Sequence, residues 1–283
     1  MRLKTGLIGA HIGSTRLPRA LNMLCHQVGA ELEFVPIETA DQPMFDLAST
    51  LDQFQFQGWT SVSVTHPFKT MARQYVGQTM HAEIAHLLAC NTVRFEGGLA
   101  GFNTDYTGFH AAWQNTFPSA LPGDVVMAGA GGVAHAIGPA LRDLGATRIA
   151  IYDAQPERAI LLQTAVGSCA QVLSEPDLMD ALRQADGVVN ATPLGMAQSP
   201  GSAFDLAALS PDRQTWAFDA VYTPLWTPFL QAARAAGLHV LTGFDLFKTM
   251  AVRTFNVCTG LELTDAEALP LLKSLHPCDE VQT

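Results

Sequence analysis

The chain has 283 residues, 48% hydrophobic and 15% charged, which excludes a disordered or low-complexity protein. At roughly 150 residues per domain it is long enough for about two domains. Sixteen basic residues stand against 26 acidic ones, a net charge of −10, so a general binder of nucleic acid or anionic membrane is excluded and any anionic ligand must be held by local groups.

A short apolar run at residues 7–9 opens the chain and a Gly/Pro-punctuated loop carries it to Pro18. A helix is predicted over 20–29, a strand over 33–37, a helix over 43–56, and a buried strand over 61–65, where valine alternates with small polar residues. Helices near 69–76 and 81–88 follow, then a hairpin over 92–101 with its turn at Glu96-Gly97-Gly98. After a helix over 105–117 and a break rich in proline and glycine, strands are predicted at 124–128, 148–153, 187–191 and 216–221. Helices run to about 144, from 156, and over 176–185 between them. Helices at about 244–258 and 265–275 close the pattern without new strands, and the polar tail 276–283 is expected to fray. Alternating strands and helices indicate an α/β fold.

Five cysteines, at positions 25, 90, 169, 258 and 278, share no Cys-x-x-Cys spacing. A disulfide framework or structural zinc site is therefore not expected, and a reducing cytoplasm fits. The apolar stretch at the N-terminus is too short for a signal peptide, and no run of 18 apolar residues predicts a membrane span.

Gly129-Ala130-Gly131-Gly132-Val133-Ala134 lies between a strand and a helix. Glycines there let backbone approach a pyrophosphate, and the helix N-terminus offers N–H groups and a positive dipole end. A tight strand–helix connection is the alternative. Asp153 ends the next strand, where a carboxylate accepts from both ribose hydroxyls of NAD and repels the 2′-phosphate of NADP. Ala154 and Gln155 add no positive charge, Arg158 lies one turn on, and a helix-capping aspartate is the alternative. NAD is thus expected over NADP. Asn190-Ala191-Thr192-Pro193-Leu194-Gly195-Met196 leaves a strand at the same sheet edge, either as a ligand loop or as an ordinary turn.

Lys69, at the end of Ser63-Val64-Thr65-His66-Pro67-Phe68-Lys69, and Asp105, in Asn103-Thr104-Asp105, are the candidate acid/base pair. Carbonyl reduction needs a proton donor beside the oxygen, and a lysine held by a carboxylate serves. Spacing alone favours a solvated lysine and a capping aspartate. Thr65, Asn91 and Thr92 either bind substrate hydroxyls or satisfy local backbone. His81 and His86 lack the i, i+4 spacing of a metal pair, no metal is expected, and Cys90 has no evident histidine partner for a nucleophile's role.

Taken together these stretches resemble the shikimate/quinate dehydrogenase family over nearly the whole chain. Gly6-Leu7-Ile8-Gly9, Asn91-Thr92, Gly101-Phe102-Asn103-Thr104-Asp105, Asp219-Ala220-Val221-Tyr222-Thr223-Pro224, Thr227-Pro228 and Thr259-Gly260 join the motifs above in the family's order. The resemblance implies an N-terminal α/β substrate domain with a mixed sheet, completed by C-terminal helices (1–103 with 238–283), and a Rossmann-like dinucleotide-binding domain (104–237), with the active site in the cleft. It implies reversible hydride transfer between a nicotinamide and the C3 position of a cyclic hydroxy acid. Lys69 and Asp105 take the acid/base roles; Thr15, Thr65, Asn91 and Tyr222 contact substrate. Gly129 to Ala134, Asp153, Asn190, Thr192, Pro193, Met196 and Ala220 hold the cofactor, and Gly243 lies against the nicotinamide. The partner is a small cyclic hydroxy acid, with no nucleic acid or membrane, and the family admits monomer and homodimer.

Three departures stand out. Where the family has Ser-x-Ser, this chain has Thr15 and Leu17; where it has Gln, this chain has Met250; and Asp153-Ala154 lacks the basic residue of NADP-dependent members. Each lost polar contact costs about 1–3 kcal/mol of binding where its partner stays buried. Arg16, Arg19 or Lys248 are candidates to supply the missing contacts, or point into water. The competing readings are a dehydrogenase for a less polar ring substrate and a dinucleotide-binding protein without turnover.

Overall fold

A computed structural model describes residues 1–277 of the chain. The chain divides into two compact units, and it passes from one to the other after Gly108, after Phe247 and after Leu275.

The first unit is built on β1 (Arg2–Gly9), α1 (Leu17–Gln27), β2 (Glu31–Glu38), α2 (Leu47–Phe56), β3 (Ser61–Val64), α3 (Lys69–Val76), β4 (Thr92–Arg94) and β5 (Ala100–Phe102). Its sheet runs β2-β1-β3-β4-β5, the first three parallel and the last two joined antiparallel. In α1, Leu17, Ala20, Leu21, Leu24 and Cys25 are buried, the i, i+3, i+4, i+7 spacing of one helical face. Asp46 caps α2 by accepting from the N–H of Ser49 at 3.1 Å, which is why that helix starts at 47 and not at 43. The hairpin turns where expected, with Gly97 and Gly98 both at positive φ.

The helix predicted over 81–88 is instead a single 3-10 turn, Ala82–Ile84. Arg73 explains the difference. Its guanidinium donates to the carbonyls of Leu87 at 2.9 Å, Gly77 at 2.8 Å and Ala85 at 3.1 Å. A cation thus satisfies oxygens in a segment where a helix would pair its own.

The second unit follows from α4 (Thr104–Thr116), which straddles the division at Gly108. It contains β6 (Asp124–Ala128), α5 (Ala134–Asp143), β7 (Arg148–Tyr152), α6 (Pro156–Val166), β8 (Ala170–Val172), α7 (Glu175–Gln184), β9 (Gly187–Asn190), β10 (Trp216–Asp219), α8 (Pro228–Ala235) and β11 (His239–Thr242). The sheet is parallel throughout, in the order β11-β10-β9-β6-β7-β8. Strand order therefore reverses between β6 and β9, the topological switch point at whose carboxyl edge ligands bind in doubly wound sheets. The elements β8, α8 and β11 were not predicted. Thr227-Pro228, a cap followed by proline at the first helical position, carried the signal for α8.

α9 (Gly243–Thr259) crosses back at Lys248, and α10 (Asp265–Leu272) packs on α1 to complete the first unit. The observed divisions at 108/109 and 247/248 differ from the expected 103/104 and 237/238. The second shift has a simple cause: β11 pairs with β10 in register Trp216↔His239 to Asp219↔Thr242, which ties residues 239–242 to the parallel sheet. His276 stands edge-on to Phe244 at 5.1 Å, and from 278 on the tail predicted to fray lies outside the described residues. Among the described residues no helix is long and apolar enough to cross a membrane.

The parallel sheet depends on one close approach. A Cβ on Gly187 would fall within the indole ring of Trp216 on the neighbouring strand. That ring cannot yield: its Nε1 donates to the carbonyl of Pro122 at 3.0 Å and its face meets Trp113 edge-on at 4.8 Å. Gly187→Ala is therefore expected to overpack the unit and cost about 1–3 kcal/mol. Denaturant unfolding checks this, and an unchanged midpoint would count against the packing account.

Candidate functional site

Strands β3 and β5 both pair antiparallel with β4, so they run parallel to each other and end at one sheet edge. Lys69 is the first residue of α3, soon after β3, and Asp105 lies in the first turn of α4, just after β5. The fold brings them together. Lys69 Nζ lies 2.5 Å from Asp105 Oδ2, with side chains only 14% and 13% exposed. Asp105 is not a cap: Asn103 takes that role, its Oδ1 accepting from the N–H of Tyr106 at 3.1 Å while its Nδ2 donates to the Ala89 carbonyl. The solvated lysine and capping aspartate that spacing alone favoured are therefore both overturned.

The expected substrate residues of this unit have well-defined places. Thr65 follows β3; its N–H donates to the Ile8 carbonyl at 2.9 Å and its methyl lies where a Cβ on Gly9 would stand. Asn91 is buried, its Oδ1 accepting from the N–H of Thr104 at 2.7 Å and from the hydroxyls of Thr104 and Thr92 at 3.1 Å. Thr15 accepts from the N–H of Leu17 at 3.3 Å. Leu17 is buried in α1, Arg19 is exposed, and Arg16 and Lys248 are half-buried.

Sequence reasoning missed Glu38. Its carboxylate accepts from the N–H groups of His11, Ile12, Thr39 and Ala40 at 2.8–3.0 Å. These bonds hold its pKa below the ordinary glutamate value. They also pin the start of the loop that carries Thr15, where His11 sits at φ 58. A carboxylate ending a strand opposite a loop was the available signal.

The second unit carries the remaining residues, Tyr222 among them. Gly129 follows β6 at φ 96, and a Cβ there would meet the Ala191 and Thr192 backbone at 2.6–2.8 Å. Only glycine allows the loops after β6 and β9 to approach this closely. Around Gly131, by contrast, space is open. Gly132 and Val133 complete the turn, and Ala134 begins α5, whose first turn has no side-chain cap. Asp153 Oδ2 accepts from the N–H of Ala130 at 2.7 Å and Oδ1 from that of Gln155 at 2.8 Å. Gln155, not Asp153, is the N-cap position of α6. An open glycine, a helix N-terminus without a side-chain cap and a carboxylate anchored against the turn fit a dinucleotide's pyrophosphate and ribose.

Asn190 holds the turn after β9. Its Nδ2 donates to the Leu194 carbonyl at 3.0 Å and to Asp219 Oδ1 at 2.9 Å, and its Oδ1 accepts from the N–H and hydroxyl of Thr192. The side chain is buried, and these bonds engage both its nitrogen and its oxygen and shape the turn. Thr192 likewise accepts from the Leu194 N–H, and the Pro193 carbonyl accepts from the N–H of Met196. The N–H of Ala220 donates to the Asn190 carbonyl at 2.9 Å. A Cβ on Gly243 would meet the carbonyls of Ala220 and Val221 at 2.6 and 2.7 Å, which accounts for that glycine by backbone approach. Tyr222 stacks on Phe247 at 5.5 Å.

No protein-family model matches the chain. It is 34% identical to the quinate/shikimate dehydrogenase (NAD(+)) of Corynebacterium efficiens over 266 residues, 91% of this chain and 93% of that protein. It is 39% identical to the shikimate dehydrogenase (NADP(+)) of Streptomyces avermitilis over 211 residues, 72% of each. The solved quinate dehydrogenase from Corynebacterium glutamicum in complex with NAD superposes with a TM-score of 0.87 at 32% identity, covering 97% of this chain and 100% of that one.

Asp219 ties this unit's ligand-side loops together. It is fully buried, with Oδ1 accepting from Asn190 Nδ2 and the N–H of Val221 at 2.9 Å, and Oδ2 from the Thr227 hydroxyl at 2.6 Å. Burial nevertheless outweighs these donors and pushes its pKa from 3.8 up to about 6. Stability from a raised carboxyl pKa is complete below the unfolded value and is lost as pH rises through the folded one. Asp219→Asn keeps the shape and removes the titration. The variant's stability relative to the parent protein is expected to rise by up to about 3 kcal/mol between about pH 4 and pH 7. Denaturant unfolding of both proteins across that range checks it; a flat difference would refute the assignment.

Proposed function

We propose that the chain, which belongs to the shikimate/quinate dehydrogenase family of NAD(P)-dependent oxidoreductases, catalyses reversible hydride transfer at the C3 hydroxyl or ketone of shikimate, quinate or a related cyclic hydroxy acid, with NAD preferred. The observation that carries the reading is the Lys69–Asp105 pair, 2.5 Å apart and largely shielded from water. A bound nicotinamide dinucleotide accepts the hydride in oxidation and supplies it in reduction. The chain's own task is the proton. In oxidation Lys69 Nζ takes the proton from the ring hydroxyl as the carbonyl forms, and in reduction it returns that proton to the oxygen. Asp105 holds the ammonium in place and offsets its charge. Thr15, Thr65 and Asn91 of the first unit bind the acid, and the second unit carries the dinucleotide site.

Gly131 and the first turn of α5 receive the pyrophosphate, and Asp153 receives the adenosine ribose. NAD preference rests on charge. The Asp153 carboxylate is fixed by two backbone N–H groups, and Ala154 and Gln155 beside it are exposed and uncharged. A 2′-phosphate there meets repulsion without a compensating guanidinium.

Initial rates of NADH and NADPH formation with shikimate and with quinate test the function; folded protein silent with both acids would refute it. Lys69→Ala is expected to lower kcat by about 10²–10⁴-fold, and a kcat within a fewfold of the parent protein would remove Lys69 from its role. Asp153→Ser combined with Ala154→Arg is expected to shift the kcat/KM ratio toward NADP by about tenfold or more. An unchanged ratio would show that this carboxylate does not select the cofactor.

A further inference from the structure

The amide of Asn91 has one orientation open to it. The backbone N–H of Thr104 reaches its side chain at 2.7 Å, and an N–H can meet only an acceptor. That atom is therefore Oδ1. Two hydroxyls, of Thr104 and Thr92, also reach it at 3.1 Å. With its oxygen saturated, Asn91 can address a ligand only as a donor, through Nδ2.

Behind Asn91 the hydroxyls continue. Thr104 Oγ1 lies 2.9 Å from Thr254 Oγ1 in α9. Thr254 Oγ1 in turn lies 3.4 Å from the sulfur of Met250, one turn earlier. Both threonines are buried, so neither hydroxyl can turn to water. Each owns one proton, which leaves two arrangements. In the first, Thr254 donates to Thr104 and Thr104 donates to Asn91, giving two O–H···O bonds. In the second, Thr104 donates to Thr254 and Thr254 donates to the thioether. The second sets the Thr104 oxygen against Asn91 Oδ1, lone pair to lone pair, and gives one proton to a weak acceptor. The first arrangement wins because position 250 holds sulfur. A stronger acceptor there would draw the Thr254 proton and disturb the chain that ends at Asn91.

We propose that Thr254 is a specificity-determining residue that couples the side chain at position 250 to the hydroxyl chain ending on Asn91 Oδ1. The ligand it serves presents an acceptor oxygen, a ring hydroxyl, ketone or carboxylate of the cyclic hydroxy acid. This rests on the reading of function given above. Thr254 is a positioning residue and acts through Thr104. A glutamine in place of Met250 is captured by Thr254 and so does not regain the polar contact with substrate on its own. Removing the Thr254 hydroxyl releases it.

A double-mutant cycle tests this, with kcat and KM for shikimate and quinate measured on the parent protein, Thr254→Val, Thr254→Ser, Met250→Gln and Met250→Gln/Thr254→Val. Unfolding midpoints are recorded alongside, and Thr254→Ala replaces Thr254→Val if the latter does not fold. Thr254→Val is expected to raise KM about fivefold with kcat within about twofold, and Thr254→Ser to restore KM. The double variant is expected to exceed the product of the two single effects on kcat/KM by about tenfold. Effects that multiply, or a serine variant that behaves like valine, overturn the proposal and leave the functional reading intact. A parent protein that neither turns over nor binds either acid by calorimetry removes both.

Discussion

An ammonium and a carboxylate 2.5 Å apart and mostly withdrawn from water set the terms for the first unit. Each charge loses hydration on burial, and their attraction offsets that loss only if both are held in register. The fold meets this demand from the backbone. Lys69 begins α3 and Asp105 lies in the first turn of α4, and both helices leave the same sheet edge because β3 and β5 are each antiparallel to β4. The Lys69 carbonyl accepts from the N–H of Cys90 at 2.9 Å, and Asn103, two residues before Asp105, caps α4. Removing either charge strands the other, which is why the pair reads as a unit and not as two surface residues.

The second unit solves a similar problem with neutral partners. Asp219 is buried without a cation, and three donors from three segments converge on it. Through Asn190 it fixes the turn after β9, through Val221 its own strand exit, and through Thr227 the start of α8. That turn then presses on Gly129, where only hydrogen fits. A buried carboxylate and a missing side chain thus shape the edge at which a dinucleotide is received, though neither need touch it.

Much of this was legible in the sequence because it depends on near neighbours along the chain. Gly129 to Ala134 after an apolar run declared a strand, a tight turn and a helix start, and β6 occupies the predicted span. What was not legible depended on distant partners. Arg73 takes the carbonyls of residues 77, 85 and 87, and no local propensity in 81–88 reveals that competition. β11 is four residues long and becomes a strand only because β10 lies beside it. Asp105 looked like a cap until Asn103, two residues earlier, proved to hold that position. The motif order identified the pair where spacing pointed away from it.

The chain's charge of −10 stands against the anionic ligands of the proposed function, and the balance is decided by distance. At physiological salt the field of scattered surface carboxylates fades over about 8 Å. Groups in contact with a ligand are not screened in this way. In the second unit the N-terminus of α5 offers a positive dipole end, and in the first the saturated oxygen of Asn91 leaves its amide nitrogen to donate. Each favours an anion or an oxygen acceptor, and neither depends on net charge. An acidic protein can hold acidic ligands because a few donors at contact distance outweigh a larger number of charges beyond the screening length.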